Sequence, residues 1–313
     1  GLNFTGFDKS NTPEMESNGI KALAEDRDGR LWVGTTAGLL HYSQGRFERL
    51  PAGSGLLSPF VLCLHVDRSG SLWVGTTGGL HRWDNGHFQA FTTRQGLSSN
   101  YITSLADDGS GGLWIGTGQG LNHFQNGRMR IFDIASGLPH SDIRALHLDP
   151  QGTLWIGTSG GGLIGFRNGS FERLKAGISS NDIRTVYQDR HGVLWIGTNQ
   201  EPLNRLKDGR VSVMGQRLAG LMSARVILED REGSIWVGTR DGLIQLKDEK
   251  FILYGSRNGL PVDPVRAVFE DRQGNIWIGT VGGGLLQFKE GVWKTYDRDQ
   301  GLLSEHIWSI TQS

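Results

Sequence analysis

Residues 149–158 read Asp149-Pro150-Gln151-Gly152-Thr153-Leu154-Trp155-Ile156-Gly157-Thr158, and the same frame recurs along the chain. Its tryptophan returns as Trp32, Trp73, Trp114, Trp155, Trp195, Trp236 and Trp277, at spacings of 41, 41, 41, 40, 41 and 41 residues. An aspartate always stands six residues earlier (Asp26, Asp67, Asp108, Asp149, Asp189, Asp230, Asp271). A glycine always stands three earlier (Gly29, Gly70, Gly111, Gly152, Gly192, Gly233, Gly274). A period of this length marks a propeller or a helical array, and the local chemistry selects β. Asp-x-x-Gly suits a type I turn, Asp at its first position and Gly at its fourth. Short β-branched runs such as Ile143-Arg144-Ala145-Leu146 precede the turn, and Leu-Trp-Ile-Gly-Thr follows it. A Gly-Leu segment then ends on a large apolar residue: Tyr42, Trp83, Phe124, Phe166 or Phe288. Asn85-Gly86, Asn126-Gly127, Asn168-Gly169 and Asp208-Gly209 supply hairpin turns, and runs such as Phe171-Glu172-Arg173-Leu174 close each unit. The expectation is an all-β chain: one seven-bladed β-propeller with four antiparallel strands per blade, residues 1–313 forming a single domain.

Composition agrees. Of 313 residues, 48 are glycine, about twice the usual ~7%, and most fall at fixed blade positions rather than every third residue as in collagen. Lys+Arg and Asp+Glu are both 32, so the net charge is zero, and no bulk attraction to nucleic acid or to an anionic membrane follows. Cys63, the only cysteine, forms no internal disulfide. No run approaches the ~18 apolar residues that cross a bilayer, so direct membrane insertion is not expected. Phe4-Thr5-Gly6-Phe7 reads as a fourth strand without its blade, and His306 to Thr311 as a first strand without successors. The array is therefore expected to be excised from a longer receptor, or to carry one surplus terminal strand.

The D-x-x-G-x-L-W-I-G-T-x-x-G-L unit resembles the two-component regulator propeller repeat, and the resemblance covers essentially the whole chain. It implies the sensor portion of a bacterial hybrid two-component or diguanylate-cyclase signalling protein. Such a domain lies in the periplasm, outside the inner membrane, and passes its signal to other domains of the same receptor. A second, weaker resemblance, in blade layout, is to propeller lyases that open streptogramin antibiotics. Their usual Trp-Phe-Thr is here Trp-Ile-Gly-Thr, and no matching His/Glu set stands out.

Catalytic residues, metal ligands and cofactors are not expected. A catalytic group is needed once, whereas the Trp, Asp and Gly columns occur seven times, which assigns them to the scaffold. The Asp side chains should cap their own turns and the tryptophans pack between blades. The nine histidines form neither HExxH nor a Cys/His zinc cluster and read as scattered over loops and outward faces.

Departures from the repeat locate the candidate ligand site. Two residues flank the apolar residue that opens each first strand. The later position holds Lys21, Arg144, Arg184, Arg225 and Arg266, a partial cationic ring in one reading. The plainer and preferred reading packs each stem between blades and pairs the head with a carboxylate such as Asp142 or Asp182. The earlier position holds Phe60 and Tyr101 where other blades are polar, and His306 and Trp308 add aromatics near the C-terminus. Glu201-Pro202 interrupts the strand two–three loop of blade five. Aromatic faces beside carboxylates and guanidinium groups suit a small molecule, an oligosaccharide among the candidates. They suit equally a protein partner or a homodimer.

Overall fold

The computed structural model describes residues 20–296, apart from 29, 44–45, 51–53, 85, 175–176, 200–202, 215–222, 249, 256–263, 271–273, 281–284 and 290. The two terminal half-blades expected at Phe4–Phe7 and His306–Thr311 lie outside the described residues, as do Glu201, Pro202 and Trp308.

Twenty-eight strands, β1 to β28 in chain order, form seven sheets of four. In every sheet the strands lie in sequence order, and neighbours are antiparallel. Blade four is representative: β13 (Ile143–Leu148), β14 (Leu154–Thr158), β15 (Leu163–Arg167) and β16 (Ser170–Arg173). Among the described residues the one helical element is a 3-10 turn, Thr93–Gln95. The expected seven blades of an all-β propeller are present. The chain falls into two compact units, one of Ile20–Ala176 with Asn181–Val186, the other of Gly177–Ser180 with Tyr187–Gln312. Blades one to four lie in the first unit, blades six and seven in the second.

The repeated motif folds each blade through short-range chemistry. In blade four the Asp149 carbonyl accepts the Gly152 N–H at 3.0 Å, the turn that Asp-x-x-Gly predicts. Asp149 Oδ1 also accepts the Thr153 N–H at 2.7 Å. The other oxygen, Oδ2, accepts the Trp155 indole N–H at 2.9 Å, a bond the six-residue spacing had concealed. The same bond recurs at 2.7–2.8 Å from Trp32, Trp73, Trp195 and Trp236. Blade three departs: His123 hydrogen-bonds Asp108 Oδ2 at 2.8 Å and stacks on Trp114, ring centroids 4.1 Å apart. Hairpins turn through two left-handed residues, as Asn168 (φ 51°) and Gly169 (φ 80°) show.

Packing between blades explains the glycine of Trp-x-Gly-Thr. A Cβ on Gly157 would lie 2.7 Å from Ile183 Cγ2 on the next blade's first strand, and one on Gly116 equally close to Ile143. The final threonine ties the following loop: Thr76 Oγ1 donates to the Gly79 carbonyl at 3.0 Å and accepts the Gly78 N–H at 2.9 Å. Four tryptophans meet rings of the next blade, in keeping with the expected packing between blades: Trp32 lies 5.4 Å from Trp83, Trp73 5.4 Å from Phe124, Trp114 5.4 Å from Phe166 and Trp236 5.5 Å from Phe288.

Candidate functional site

Alternating antiparallel strands put the blade-to-blade connections and the strand two–three loops at one end of each blade. Asp-x-x-Gly turns and hairpins occupy the other. In the first unit the connection end carries Phe60, Tyr101, Asp142 and Asp182 at equivalent positions. Their backbones are locked alike. Ser58 Oγ, Ser99 Oγ and His140 Nδ1 accept the N–H groups of Phe60, Tyr101 and Asp142 at 3.2, 3.2 and 3.3 Å. The carbonyls of Phe60, Tyr101 and Asp142 accept the N–H groups of Thr77, Gly118 and Ser159 from the strand two–three loops. Held so, Phe60 remains 37% and Tyr101 42% exposed.

The later position of each pair has a structural explanation that the sequence did not reveal. Ile143 faces Thr158 and Ala145 faces Gly157, so Arg144 is the extra residue of a β-bulge. Lys21, Leu62, Thr103 and Arg266 sit in the same kind of bulge. Bulges re-aim a side chain, and in blade four the bulge places the Arg144 head beside the preceding Asp142. Arg144 Nη2 donates to Asp142 Oδ2 at 2.9 Å, and Arg184 Nη2 to Asp182 Oδ2 at 3.0 Å. The pairing reading therefore holds for these two, as half-exposed pairs worth at most ~1 kcal/mol each. Each pair leaves the arginine Nε buried without an acceptor among the described residues. Lys21 Nζ lies 5.9 Å over the Phe60 ring. In the second unit, burial and then the charge of Arg225 lower the Arg266 guanidinium to about 10. The two cations are thus close enough to repel.

A cavity of about 500 Å³ opens at the connection end of blade one, bounded by Leu39, Arg49, Leu50, Leu57 and Pro59. Leu50 follows Arg49, which pairs with Leu40, and so takes the position that Phe91, Phe132 and Tyr254 hold in other blades. Sequence reading missed the cavity, although aligning the ends of the fourth strands would have exposed the missing ring.

Some histidines lie on loops or outward faces as expected, His87 and His191 exposed and His140 outside any strand, but others do not. His81 is fully buried; its Nε2 accepts the Leu57 N–H at 3.0 Å, so the connection that leads to Phe60 is clipped to the blade core. Burial lowers its pKa to about 4, against weaker raising by the Val74 and Gly79 backbone. Asn122 and Asn204 do the same work in blades three and five, accepting the Ser98 and Ser179 N–H groups at 2.8 and 2.9 Å. His65 pairs with Asp107 at 3.0 Å. Burial raises the Cys63 thiol to about 12, leaving it unreactive. Among the described residues no three His, Cys, Asp or Glu side chains gather as metal ligands, and no helix is long and apolar enough to cross a membrane.

Known structures resemble this fold at low identity. An extracellular domain of BT4673 from B. thetaiotaomicron, assigned to a hybrid two component system, matches with TM-score 0.57 and 19% identity over 93% of this chain. The chain spans about half, 49%, of that domain. Virginiamycin B lyase from Staphylococcus aureus matches with TM-score 0.66 and 14% identity, over 84% of this chain and 92% of the lyase. PorZ of Porphyromonas gingivalis, a surface component of the type-IX secretion system, matches with TM-score 0.57 and 15% identity, over 96% and 61%. No curated protein matches the sequence. The repeat described as two component regulator propeller matches seven times, at residues 14–37, 55–78, 96–119, 137–160, 177–200, 220–241 and 259–282. These segments make up more than half of the chain and each contains one Asp-x-x-Gly turn and its tryptophan, so the protein belongs to the two component regulator propeller family.

Proposed function

We propose that this chain is the extracytoplasmic, non-catalytic sensor domain of a bacterial signalling receptor, and that it binds a small molecule at the connection end of its blades. The observation that carries the reading is the pair of exposed rings, Phe60 and Tyr101, on connections made rigid by hydrogen bonds. The Asp142–Arg144 and Asp182–Arg184 pairs stand at the equivalent places in the next blades, with guanidinium Nε groups that have no acceptor among the described residues. Stacking faces beside preorganised donors and acceptors suit an oligosaccharide or uronic acid: rings take the apolar sugar faces, and arginines take hydroxyl or carboxylate oxygens. The open cavity beside Leu57 and Arg49 adds a shallow subsite at the same end. Periplasmic placement, and signalling to further domains of the same receptor, rest on family membership and on the extracellular relatives.

A thermal-shift screen with glycans, uronic acids and amino acids tests this. A ligand at 100-fold its dissociation constant adds ~2.7 kcal/mol to stability. Binding should fall at least tenfold in Tyr101→Ala and in Arg184→Ala; a ligand indifferent to both variants refutes the site. A second reading, a partner or dimerisation scaffold, draws on Leu57, 57% exposed beside Phe60. Silence across the screen with a concentration-dependent dimer that Leu57→Asp abolishes would establish it. Magnesium-dependent turnover of a cyclic depsipeptide would overturn the non-catalytic assignment.

A further inference from the structure

A second cavity, about 460 Å³, lies at the opposite, turn end, between blades five and six. On blade five β18 (Leu194–Thr198) presents Trp195, β19 (Asn204–Lys207) presents Arg205 and Lys207, and Met214 follows β20 (Arg210–Val213). Blade six faces them with Ile235 of β22 (Ile235–Gly238), Leu246 of β23 (Leu243–Lys247) and Phe251 of β24 (Lys250–Tyr254).

Two observations say what the cavity takes. The first is a missing ring. One blade on, Trp236 packs on Tyr254 and Phe288, at 6.0 and 5.5 Å between centroids. The residues equivalent to Tyr254 and Phe288 at the five–six contact are Met214 and Leu246. Trp195 accordingly has no ring contact among the described residues, and the space of an aromatic group stays open beside it. The second is a pair of cationic side chains without a polar partner among the described residues. In blade six, Gln245 bonds Tyr254 and Ser234, and Lys247 pairs with Glu232 at 2.6 Å. In blade three, His123 and Gln125 both bond Asp108. The equivalent residues of blade five are Arg205 and Lys207, and neither has a hydrogen bond or ion pair among the described residues. Where blade six has Glu232, blade five has His191. Asp189 is committed, accepting from the His191 and Val193 N–H groups and from the Trp195 indole. Asp189 and Asp248 also line the cavity, so its formal charges balance, yet neither carboxylate forms an ion pair with Arg205 or Lys207 among the described residues.

We propose that this inter-blade cavity binds a small aromatic carboxylate. The ligand ring occupies the place that Tyr254 and Phe288 fill beside Trp236, and its carboxylate meets Arg205 and Lys207. The volume lies in the range of small-molecule pockets, and a guanidinium beside an apolar floor is the donor best suited to a carboxylate. The site is separate from the connection end and stands whatever binds there.

Isothermal titration of the whole protein with 2-naphthoate, with 2-naphthalenemethanol as neutral control, tests the proposal. Saturable 1:1 binding of the carboxylate is expected, at least tenfold tighter than the alcohol and weakened at least tenfold in Arg205→Gln. Leu246→Phe, which restores the ring found in blade seven, should abolish binding while the protein melts no lower than the parent. Tyr101→Ala should leave it unchanged. Absence of saturation at millimolar carboxylate, equal binding of the alcohol, or binding that survives both Arg205→Gln and Leu246→Phe would each overturn the proposal.

Discussion

Trp236 and Trp195 occupy the same place in blades six and five, make the same bond to the aspartate six residues earlier, and meet different neighbours. Around Trp236, Tyr254, Phe288 and Trp293 form a continuous ring cluster, with successive centroids 4.6–5.4 Å apart. Around Trp195 the counterparts are Met214, Leu246 and Phe251, and a cavity remains. The repeat thus constrains what a blade needs to fold by itself. It leaves the wall between blades free to differ, and there a chain of near-identical units can acquire an individual site.

The comparison can be broken most directly at equivalent residues. Phe288→Ala, in the filled wall, should cost ~3–5 kcal/mol in urea denaturation, whereas Leu246→Ala, already beside a void, should cost ~2 kcal/mol. Equal losses would mean that the two walls are packed alike.

Blade two supplies a pH-dependent version of the same contrast, because His81 does there what Asn122 and Asn204 do elsewhere. The unfolded chain protonates this histidine below its ordinary value near 6.5, while the folded protein resists protonation down to about 4. The unfolded state therefore binds more protons in that window, and stability falls as pH drops through it, by up to ~3 kcal/mol. His81→Asn should remove most of the fall without unfolding the protein at pH 7. A parent and variant with parallel stability–pH curves would sink the assignment.

The turn chemistry, by contrast, should not distinguish blades. Asp189→Asn and Asp230→Asn each remove a charged acceptor shared by backbone and indole N–H groups, and should cost the same, ~1–3 kcal/mol. Filling the void with Leu246→Phe should add ~1 kcal/mol; a loss would show that the wall cannot admit the ring. Smallest of all, Tyr101→Ala should change stability by less than ~0.5 kcal/mol, as expected of an exposed side chain.

Much of this was legible in advance. Asp149 and Gly152 announce a turn because its bonds close within four residues, and seven copies remove ambiguity; the indole bond from Trp155 was not legible. The pairing of Arg144 with Asp142 was also readable, since the partners stand two residues apart. The bulge that aims Arg144 was not, because it depends on register against β14. His81 was misread for a similar reason: strand alternation alone does not say which alternate face carries a buried clip for a loop 24 residues earlier. Both cavities lie where rings found in other blades are missing, at Leu50 in one and at Met214 and Leu246 in the other, and the emptiness exists only once a neighbouring element approaches.

By itself, then, the sequence determined the blade: strand count, turn type, glycine positions and family, all set by interactions local to about 41 residues and repeated seven times. Tertiary structure alone decided which side chains stay exposed at the connection end and where the walls between blades are open. Those properties belong to contacts between one repeat and the next, where side-chain volume and register, rather than motif identity, fix what is filled.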